Sequence, residues 1–530
     1  MTRRPNILLI TSDMQRADCF GRFEKRGVRA PHVEMLAEAG TRFSSCITPS
    51  PICMPARASI LTGLLPLTHG LYDNGIDLSP EMSDRGFAGT LGRAGYRTGF
   101  IGKAHFSTFE TFKPTGSPEC RFSSADYPED WTGPYGGFDH VELMTVGHLH
   151  RKRAPERPPH GQHYERWFWS RAEGDRPFEM HTTSMSPETG AANTWDSALP
   201  EAWHTSTWTA DRAIDFLSKQ DGDTPFCAWV SFPDPHQPYS PPDPWHRMYD
   251  PDEVTIPEHR TMDLERRPWW HRAALEGEPQ IKDARLANHR KTVSRVPPQT
   301  DEQLRHMTAN YFGMISLVDH NVGRILNALA DQGLKEDTLI IYTSDHGEFL
   351  GDHGLYLKGP MLYDSLLRVG LVMSGPGIPA GQVVDAPGST MDLPATFYDI
   401  AGVEAPMPLQ SESLLPVMKD GKGRAAAYNE WSLQAVRCGV ALDLRTVRTT
   451  THRLTLAIMF RHLKTHDGRH GNITGRKSTE RSLNTVDSGA VERDHLPKIT
   501  FREYSDFRHL VYSVSSDWLR HRRLHRRSGA

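Results

Sequence analysis

Cysteine is scarce in this chain. Its 530 residues include six cysteines, which show neither the paired spacing of a zinc site nor the dense pattern of a disulfide-stabilised domain. This scarcity excludes a disulfide-rich secreted scaffold and favours a reducing compartment. We therefore expect most of these side chains to be buried as small apolar groups. The six are Cys19, Cys46, Cys53, Cys120, Cys227 and Cys438.

Long apolar runs and an excess of one charge are also lacking. The longest apolar runs, such as residues 6–11 and 338–343, are far shorter than a membrane span, and the N-terminus enters a predicted strand without a cleavable apolar stretch. The net charge of −4 argues against nucleic acid or an anionic membrane as the main partner. We therefore expect a soluble, cytoplasmic protein that acts on a small molecule, with no nucleic-acid or membrane partner.

Strands and helices alternate over most of the first 400 or so residues. Short apolar segments rich in β-branched residues predict strands, and amphipathic segments between them predict helices. The longest predicted helix begins near Asp301 and is closed by Gly333. This pattern is typical of an α/β fold with a large, mainly parallel sheet sandwiched by helices. The clearest predicted strands are residues 6–13, 97–103, 226–232, 338–345 and 368–375.

The length predicts a large core domain and a smaller α+β region. We place the catalytic domain at residues 1–425, with a loop-rich insertion at 107–200 that shapes the substrate pocket. The smaller region is residues 426–530. Its end, from Thr451 to Ala530, has 16 Lys and Arg against 8 Asp and Glu, a net charge of +8. We expect a solvated or disordered basic tail, with an anion-binding or oligomer-contact arm as the alternative.

Polar side chains follow four of the predicted strands. Asp13 ends the first strand and Lys103 ends the second. Residues 233–236 follow the third, and Asp345 with His346 follows the fourth. Ligands of open α/β sheets bind at the carboxyl ends of the strands, so we expect these side chains to converge on one site. Carboxylates with one imidazole suit a divalent cation such as Ca²⁺, Mg²⁺ or Mn²⁺.

The segment PICMPARASILTG, residues 51–63, gives one cysteine a special setting. A helix predicted just after Pro55 would leave Cys53 beside exposed backbone N–H groups and the guanidinium of Arg57, surroundings that favour anions. They would also activate a thiolate, so an ordinary cysteine nucleophile is one interpretation. The C-x-P-x-R string alone is too short to decide.

Six segments, in this order along the chain, resemble the type I sulfatases of the alkaline phosphatase superfamily from residue 5 to about 400. The phosphonate monoester and phosphodiester hydrolases of that superfamily are similar as well. The order and spacing of the segments make the resemblance specific. The segments are NILLITSD, CMPARASILTG, GYRTGFIGKAHF, FPDPHQPY, SDHGEFLGDHG and LKGPMLYDSLLRVGLVMSGPGI.

The resemblance implies that Cys53 is a precursor. In the family, a formylglycine-generating enzyme reads C-x-P-x-R and oxidises the cysteine to formylglycine, whose hydrate is a geminal diol. One hydroxyl, activated by the metal, attacks sulfur in line and expels an alcohol or phenol. The other hydroxyl lets the covalent sulfate ester break down to sulfate and the aldehyde. The implied activity is hydrolysis of small-molecule sulfate esters by an arylsulfatase-like enzyme.

The resemblance also implies a role for each matching residue. One divalent metal, Ca²⁺ in preference to Mn²⁺ or Mg²⁺, would be held by Asp13, Cys53, Asp345 and His346. Arg57 would orient the diol, and Lys103 would bind the sulfate oxygens. His105, placed on the same face as Lys103 by strand alternation, would take the proton that triggers sulfate release. His236 and Lys358 would bind the sulfuryl group and stabilise the leaving oxygen, and Asn74 would contact the transferred group.

Departures from the family pattern leave alternatives open. Met14 follows Asp13 where the family usually has an acidic or amide ligand; either Gln15 or water replaces that ligand, or the metal is bound more weakly. The usual closing segment of the family is not recognisable, so the tail is atypical. Lys103 favours a sulfatase over the phosphonate branch, which would have a neutral hydroxyl residue there. A phosphonate monoester or phosphodiester hydrolase, a non-catalytic anion-binding relative and a homo-oligomer all stay possible.

Overall fold

An eight-stranded β-sheet forms the centre of the fold. The structure is a computed structural model that describes residues 4–433, 441–458 and 482–484, except residues 112, 146 and 263 and several positions between 283 and 294. The strands are β1 (Asn6–Ser12), β2 (Thr41–Phe43), β3 (Cys46–Ile47), β4 (Arg97–Gly102), β5 (His140–Leu143), β6 (Phe226–Ser231), β7 (Thr338–Ser344), β8 (Leu371–Ser374), β9 (Gln382–Val384), β10 (Gly388–Ser389), β11 (Ala427–Leu433), β12 (Leu442–Arg448), β13 (Arg453–Ile458) and β14 (Ser482–Asn484).

The order of strands in the large sheet is β5-β4-β6-β1-β7-β8-β2-β9. The strands from β5 to β7 run parallel, while β8 is antiparallel to both of its neighbours. Strands β1, β6 and β7 are buried along their whole length, which explains their unbroken apolar sequence. The prediction of a large, mainly parallel sheet is confirmed, and the five predicted strands are β1, β4, β6, β7 and β8.

Helices cover both faces of the sheet. Ile7 and Leu9 of β1 pack in one buried cluster with residues of α2, α5 and α12, whereas Leu8 and Ile10 pack in another with α1, α8 and α10. This alternation is what a strand buried on both faces requires. The α-helices are α1 (Pro31–Glu38), α2 (Cys53–Thr62), α3 (Pro66–His69), α4 (Pro80–Asp84), α5 (Phe87–Arg93), α6 (His163–Trp169), α7 (Arg176–Thr182), α8 (Thr205–Ser218), α9 (Trp269–Glu276), α10 (Asp301–Asp331), α11 (Asp364–Leu367), α12 (Leu393–Ala401) and α13 (Leu415–Asp420).

Local sequence sets the ends of the long helix α10. Thr300 accepts a hydrogen bond from the backbone N–H of Gln303, and the Gln303 side chain accepts one from the N–H of Thr300. This capping box satisfies N–H groups that the first turn leaves unpaired. Gly333, just beyond the helix, has a φ of 67°. The predicted start and end of the helix are confirmed. In the described ranges, no helix combines the length and apolarity that a membrane crossing needs.

Residues 107–200 contribute secondary structure that the sequence did not reveal. Strand β5 extends the large sheet beside β4, and helices α6 and α7 follow it. These elements are only four and seven residues long, too short to show a helical or strand period. Because β5 is parallel to β4, its carboxyl end points to the same edge of the sheet as the predicted site.

A small antiparallel sheet, β11-β12-β13-β14, follows the large one along the chain. It packs on the main body through Trp431, Leu442 and Leu444, which share a buried cluster with Ile52. The predictions about Cys438 and about the basic tail beyond residue 458 lie outside the described residues, apart from β14. The other five cysteines are free and buried, as expected.

Candidate active site

The carboxyl ends of β4, β6, β1 and β7 meet in one crevice. These four parallel strands are neighbours in the sheet, so the residues that follow them are brought together. The backbone N–H of Asp13 donates to the carbonyl of Asp234 at 3.0 Å, and the N–H of Met14 donates to Oδ1 of Asp345 at 3.0 Å. The predicted convergence of strand ends is therefore present in the fold.

Four buried side chains form a group that could hold a metal ion. One ligand atom each from Asp13, Cys53, Asp345 and His346 lies within 4.8 Å of the others. Nδ1 of His346 lies 2.8 Å from the carbonyl oxygen of Gly347, which leaves Nε2 toward the group, 3.2 Å from Sγ of Cys53. Two carboxylates and an imidazole fit a divalent cation. The four residues are the predicted ligands.

Helix α2 presents Cys53 to this group. The helix begins at Cys53 itself, three residues earlier than predicted, because a proline is tolerated in the first turn, where N–H groups lack helical partners. The N–H of Met54 in that turn donates to Oδ1 of Asn74 at 3.2 Å. All ten residues of α2 are buried. Cys53 thus stands at the start of a fully buried helix, with Asn74 beside it.

Arg57, from the same helix, contacts residues at the ends of four strands. Its Nε donates to Oδ2 of Asp345 at 3.1 Å, and its Nη1 donates to the carbonyl of Lys103 at 2.7 Å and to Oγ of Ser231 at 2.6 Å. Its Nη2 lies 3.6 Å from Oδ2 of Asp13. The fully buried guanidinium therefore orients both carboxylates of the metal group.

Two ammonium groups flank Cys53 and the carboxylates. Nζ of Lys358 lies 2.7 Å from Sγ of Cys53 and 3.3 Å from Nε2 of His346. Nζ of Lys103 donates to Oδ2 of Asp13. With Arg57, three cations surround the two carboxylates, and this excess of positive charge favours an anionic substrate.

The charges shift the pKa values of the groups between them. Burial and Asp13 raise the pKa of Cys53, but Lys358, Lys103 and His346 outweigh them, so its pKa is below the ordinary value. Burial raises the pKa of Asp13, yet the neighbouring cations hold it well below its usual range. Burial holds the pKa values of His105 and His236 well below the ordinary value, so both rings are neutral at pH 7.

His105 lies in the site, but by a different route from the one predicted. Strand β4 ends at Gly102, and His105 has a φ of 57°. The extended alternation that placed it on the same face as Lys103 was therefore wrong. A left-handed turn instead brings the imidazole to the wall of the cavity that Lys103 also lines.

A cavity of about 1710 Å³ opens from these residues. Six of the predicted site residues other than the carboxylates line its inner end. Its outer part is lined largely by the 107–200 segment, including Phe109, Arg151 and Trp195. The volume greatly exceeds that of a sulfate group, so the outer part has room for the alcohol. The six inner residues are Cys53, Asn74, Lys103, His105, His236 and Lys358.

Comparison with known proteins shows which family the chain belongs to. The sulfatase family model matches residues 5–403. The chain belongs to the sulfatase family. A model for the C-terminal part of N-sulphoglucosamine sulphohydrolase matches residues 351–458 of this sulfatase. The predicted family is therefore confirmed, and the two matches together end at residue 458.

Relatives of this sulfatase fall in both branches that the sequence resembled. The uncharacterized sulfatase YidJ of Escherichia coli K12 is 30% identical over 84% of this chain and 79% of that protein. The arylsulfatase of Clostridium perfringens is 29% identical over 79% of each chain. The crystal structure of a phosphonate monoester hydrolase from Agrobacterium radiobacter has a TM-score of 0.66, is 26% identical, and covers 86% of this chain and 89% of that one.

His148 is a residue of this sulfatase site that the sequence reasoning missed. Its Nε2 lies 2.8 Å from Nζ of Lys103, and its ring stacks on His236 with centroids 3.8 Å apart. Burial and the nearby His236 hold the pKa of His148 well below the ordinary value, so Nε2 accepts a hydrogen bond from the ammonium. The signal was its position just after β5, which was itself too short to predict.

The structure also shows the surroundings of Met14 and Gln15, which follow Asp13. Oε1 of Gln15 accepts hydrogen bonds from the hydroxyls of Ser12 and Tyr342, both at 2.7 Å, and its Nε2 donates to the carbonyl of Cys19 at 3.1 Å. The amide oxygen, which would be the ligand atom, thus accepts two hydrogen bonds in the interior, so the suggestion that Gln15 replaces the missing ligand was wrong. Sδ of Met14 instead lies 3.6 Å from Nζ of Lys358.

Proposed function

We propose that this sulfatase hydrolyses sulfate monoesters to an alcohol or phenol and inorganic sulfate, using formylglycine formed from Cys53. The observation that carries the proposal is the place of Cys53. Its side chain stands at the start of α2, among Asp13, Asp345 and His346, with the Lys358 ammonium 2.7 Å away. The intact C-x-P-x-R string at residues 53–57 is what a formylglycine-generating enzyme would read.

Two groups would complete this site. A divalent cation, Ca²⁺ in preference to Mn²⁺ or Mg²⁺, would be held by Asp13, Asp345, His346 and residue 53 and would lower the pKa of a hydroxyl bound to it. Formylglycine in its hydrated form would supply the hydroxyl nucleophile at residue 53. The donor set supports this assignment, since the two carboxylates are buried and oriented by Arg57.

The remaining residues would bind the sulfuryl group and move protons. The ammonium groups of Lys103 and Lys358 would hold the sulfuryl oxygens and balance the charge that develops on the leaving oxygen. Nδ1 of His236 is engaged with the carbonyl of Gln237 at 2.7 Å, which leaves Nε2 for the substrate. His105 is neutral and would accept the proton that accompanies sulfate release. Asn74 would contact the transferred group.

Modification of Cys53 provides the decisive test. Mass spectrometry of the peptide containing residues 51–63, from protein made in a host with the modifying enzyme, should show formylglycine in place of cysteine. Cys53→Ala should lose turnover of an aryl sulfate and keep its folded structure, because the change removes the nucleophile and little packing. A fully unmodified cysteine in an active enzyme would refute the mechanism. An unmodified, inactive protein that still binds sulfate would indicate a non-catalytic relative.

Phosphonate monoester hydrolysis is the second candidate function. It is favoured by the structural similarity to the Agrobacterium radiobacter enzyme over 86% of the chain. Both transition states place charge on similar equatorial oxygens, so one site could serve both. Lys103, where the phosphonate branch is expected to have a neutral hydroxyl residue, favours the sulfatase. We expect kcat/KM to be higher for an aryl sulfate than for an aryl phosphonate ester, and the reverse order would favour the second candidate.

A further inference from the structure

Glu119 binds the backbone that follows strand β4. Its side chain is 1% exposed. Oε2 accepts a hydrogen bond from the N–H of His105 at 2.5 Å, and Oε1 accepts from the N–H groups of Phe106 at 2.9 Å and Ser107 at 3.2 Å. The hydroxyl of Tyr135 also donates to Oε1 at 2.6 Å. One carboxylate from the 107–200 segment thus binds three successive N–H groups next to the site.

The backbone that Glu119 binds is unusual. His105 has a φ of 57°, a left-handed conformation that is unfavourable for a residue with a Cβ and persists where surrounding contacts impose it. The side chains on either side of the turn have different surroundings. Phe106 packs in the core against Phe100 and Trp229, while His105 lines the cavity. The turn therefore lets Phe106 pack in the core while its neighbour His105 lies at the reaction site.

One nitrogen of the His105 imidazole is buried without a hydrogen bond in the described part of the chain. Its Nδ1 has no hydrogen-bond partner among the described residues. The ring is therefore not held in place through this atom, and its position depends on the backbone. The carboxylate of Glu119 binds the N–H groups of this backbone at three consecutive residues, and the N–H of Leu78 donates to the carbonyl of Phe106 at 2.9 Å.

We infer that Glu119 is a positioning residue for His105: by binding the N–H groups of residues 105–107, it fixes the left-handed turn that directs the imidazole into the cavity. The inference rests on the proposed function of His105 as the proton acceptor in sulfate release. Glu119 lies in the 107–200 segment, other residues of which line the outer part of the cavity.

Glu119→Gln is a nearly isosteric test of this role. An amide has one acceptor oxygen, and its NH₂ would face a backbone N–H, so the variant loses at least one of the three hydrogen bonds. Peptides covering residues 103–108 should exchange amide hydrogen for deuterium faster than in the wild type. Unchanged exchange in these peptides would overturn the inference, whatever the activity of the enzyme.

A double-mutant cycle links the effect to His105. With an aryl sulfate, His105→Ala should lower kcat on the order of 100-fold, and Glu119→Gln on the order of 10-fold. Both should lower kcat more than kcat/KM and show a burst of released phenol, because sulfate release follows expulsion of the phenol. In the His105→Ala background, Glu119→Gln should have no further effect on kcat. An equal fold-loss in both backgrounds would overturn the inference.

Glu165→Gln is the matched control. Glu165 is also buried in the 107–200 segment, and it accepts hydrogen bonds at 2.9 Å from the backbone N–H groups of Thr145 and Gln162. Its loss should speed exchange at those residues and leave residues 103–108 unchanged. An equal effect of both variants on residues 103–108 would mean that Glu119 has only a general structural role.

Two further outcomes keep the test decisive. If Glu119→Gln does not fold, Tyr135→Phe removes one donor to the carboxylate and should raise exchange at residues 103–108 by a smaller factor; no rise would overturn the inference. If the wild type is inactive on sulfate esters, the proposed function fails, while faster exchange at residues 103–108 in Glu119→Gln would still support the positioning of the turn.

Discussion

Met14 follows Asp13 directly and lies beside the four side chains that could hold a metal ion. Its thioether adds no oxygen ligand, and it lies next to the Lys358 ammonium. Met14→Asp should raise the affinity for Ca²⁺ at least about tenfold by adding a carboxylate to the group. Calorimetric titration of metal-stripped protein measures this, with Met14→Leu as the size-matched control. Equal affinities for the two variants would mean that the introduced carboxylate pairs with Lys358 instead of the metal.

His148 offers a second test at the scale of single residues. His148→Phe keeps a ring to stack on His236 but removes the acceptor for Lys103. A hydrogen bond to a charged group contributes about 1.5–3 kcal/mol, so kcat/KM should fall roughly 10- to 100-fold. His148→Gln retains an acceptor and should be less impaired. If His148→Phe were as active as the wild type, the hydrogen bond to Lys103 would have no catalytic value.

The burial of His69 predicts how the stability of the protein depends on pH. Burial lowers the pKa of His69 to about 3, and its Nδ1 accepts a hydrogen bond from the N–H of Leu71 at 3.2 Å. Below the ordinary value of 6.5 the unfolded chain binds a proton at this ring and the folded chain does not. This group therefore lowers stability as pH falls from 6.5 toward 3, by up to about 1.4 kcal/mol per pH unit.

Urea unfolding at pH 7, 6 and 5 tests that contribution. His69→Gln should lose stability less steeply than the wild type as the pH is lowered over this range. All other titratable groups are shared by the two proteins, so they cancel in the comparison. Parallel stability curves would show that His69 is protonated in the folded protein.

At the scale of elements, the sequence predicted those strands and helices whose burial leaves a continuous apolar run or a regular apolar period. Strands β1, β6 and β7 are apolar throughout because both faces are covered, and α10 shows a helical period over its length. The four-residue β5 has no comparable signal, so His148 could not be assigned to the site. The turn at His105 depends on Glu119, fourteen residues away, and strand alternation could not predict it.

The capping box of α10 gives a prediction at the same scale. Thr300→Ala removes the side-chain acceptor for the N–H of Gln303 and should lower the free energy of unfolding by about 1 kcal/mol. Thr300→Ser keeps the oxygen and is the matched control. Since α10 is held near the site by the hydroxyl of Tyr311, which donates to the carbonyl of Met14 at 2.7 Å, kcat should not change. Equal unfolding energies for the two variants would contradict the role of the cap.

At the scale of the whole molecule, the metal group joins parts of the chain that are far apart in sequence. Asp13 follows β1, Asp345 and His346 follow β7, and Cys53 begins α2, so a bound cation would cross-link these elements in the folded state alone. A ligand that binds only the folded chain adds about 2.7 kcal/mol to the free energy of unfolding at about 100 times its Kd.

The chelator EDTA should therefore lower the urea midpoint of the wild type, and excess Ca²⁺ should restore it. Asp345→Asn is the matched control, because it removes a charged ligand at nearly constant size and should unfold at the same midpoint with and without EDTA. A wild-type midpoint that EDTA leaves unchanged would mean that the buried carboxylates are balanced by Arg57, Lys103 and Lys358 alone.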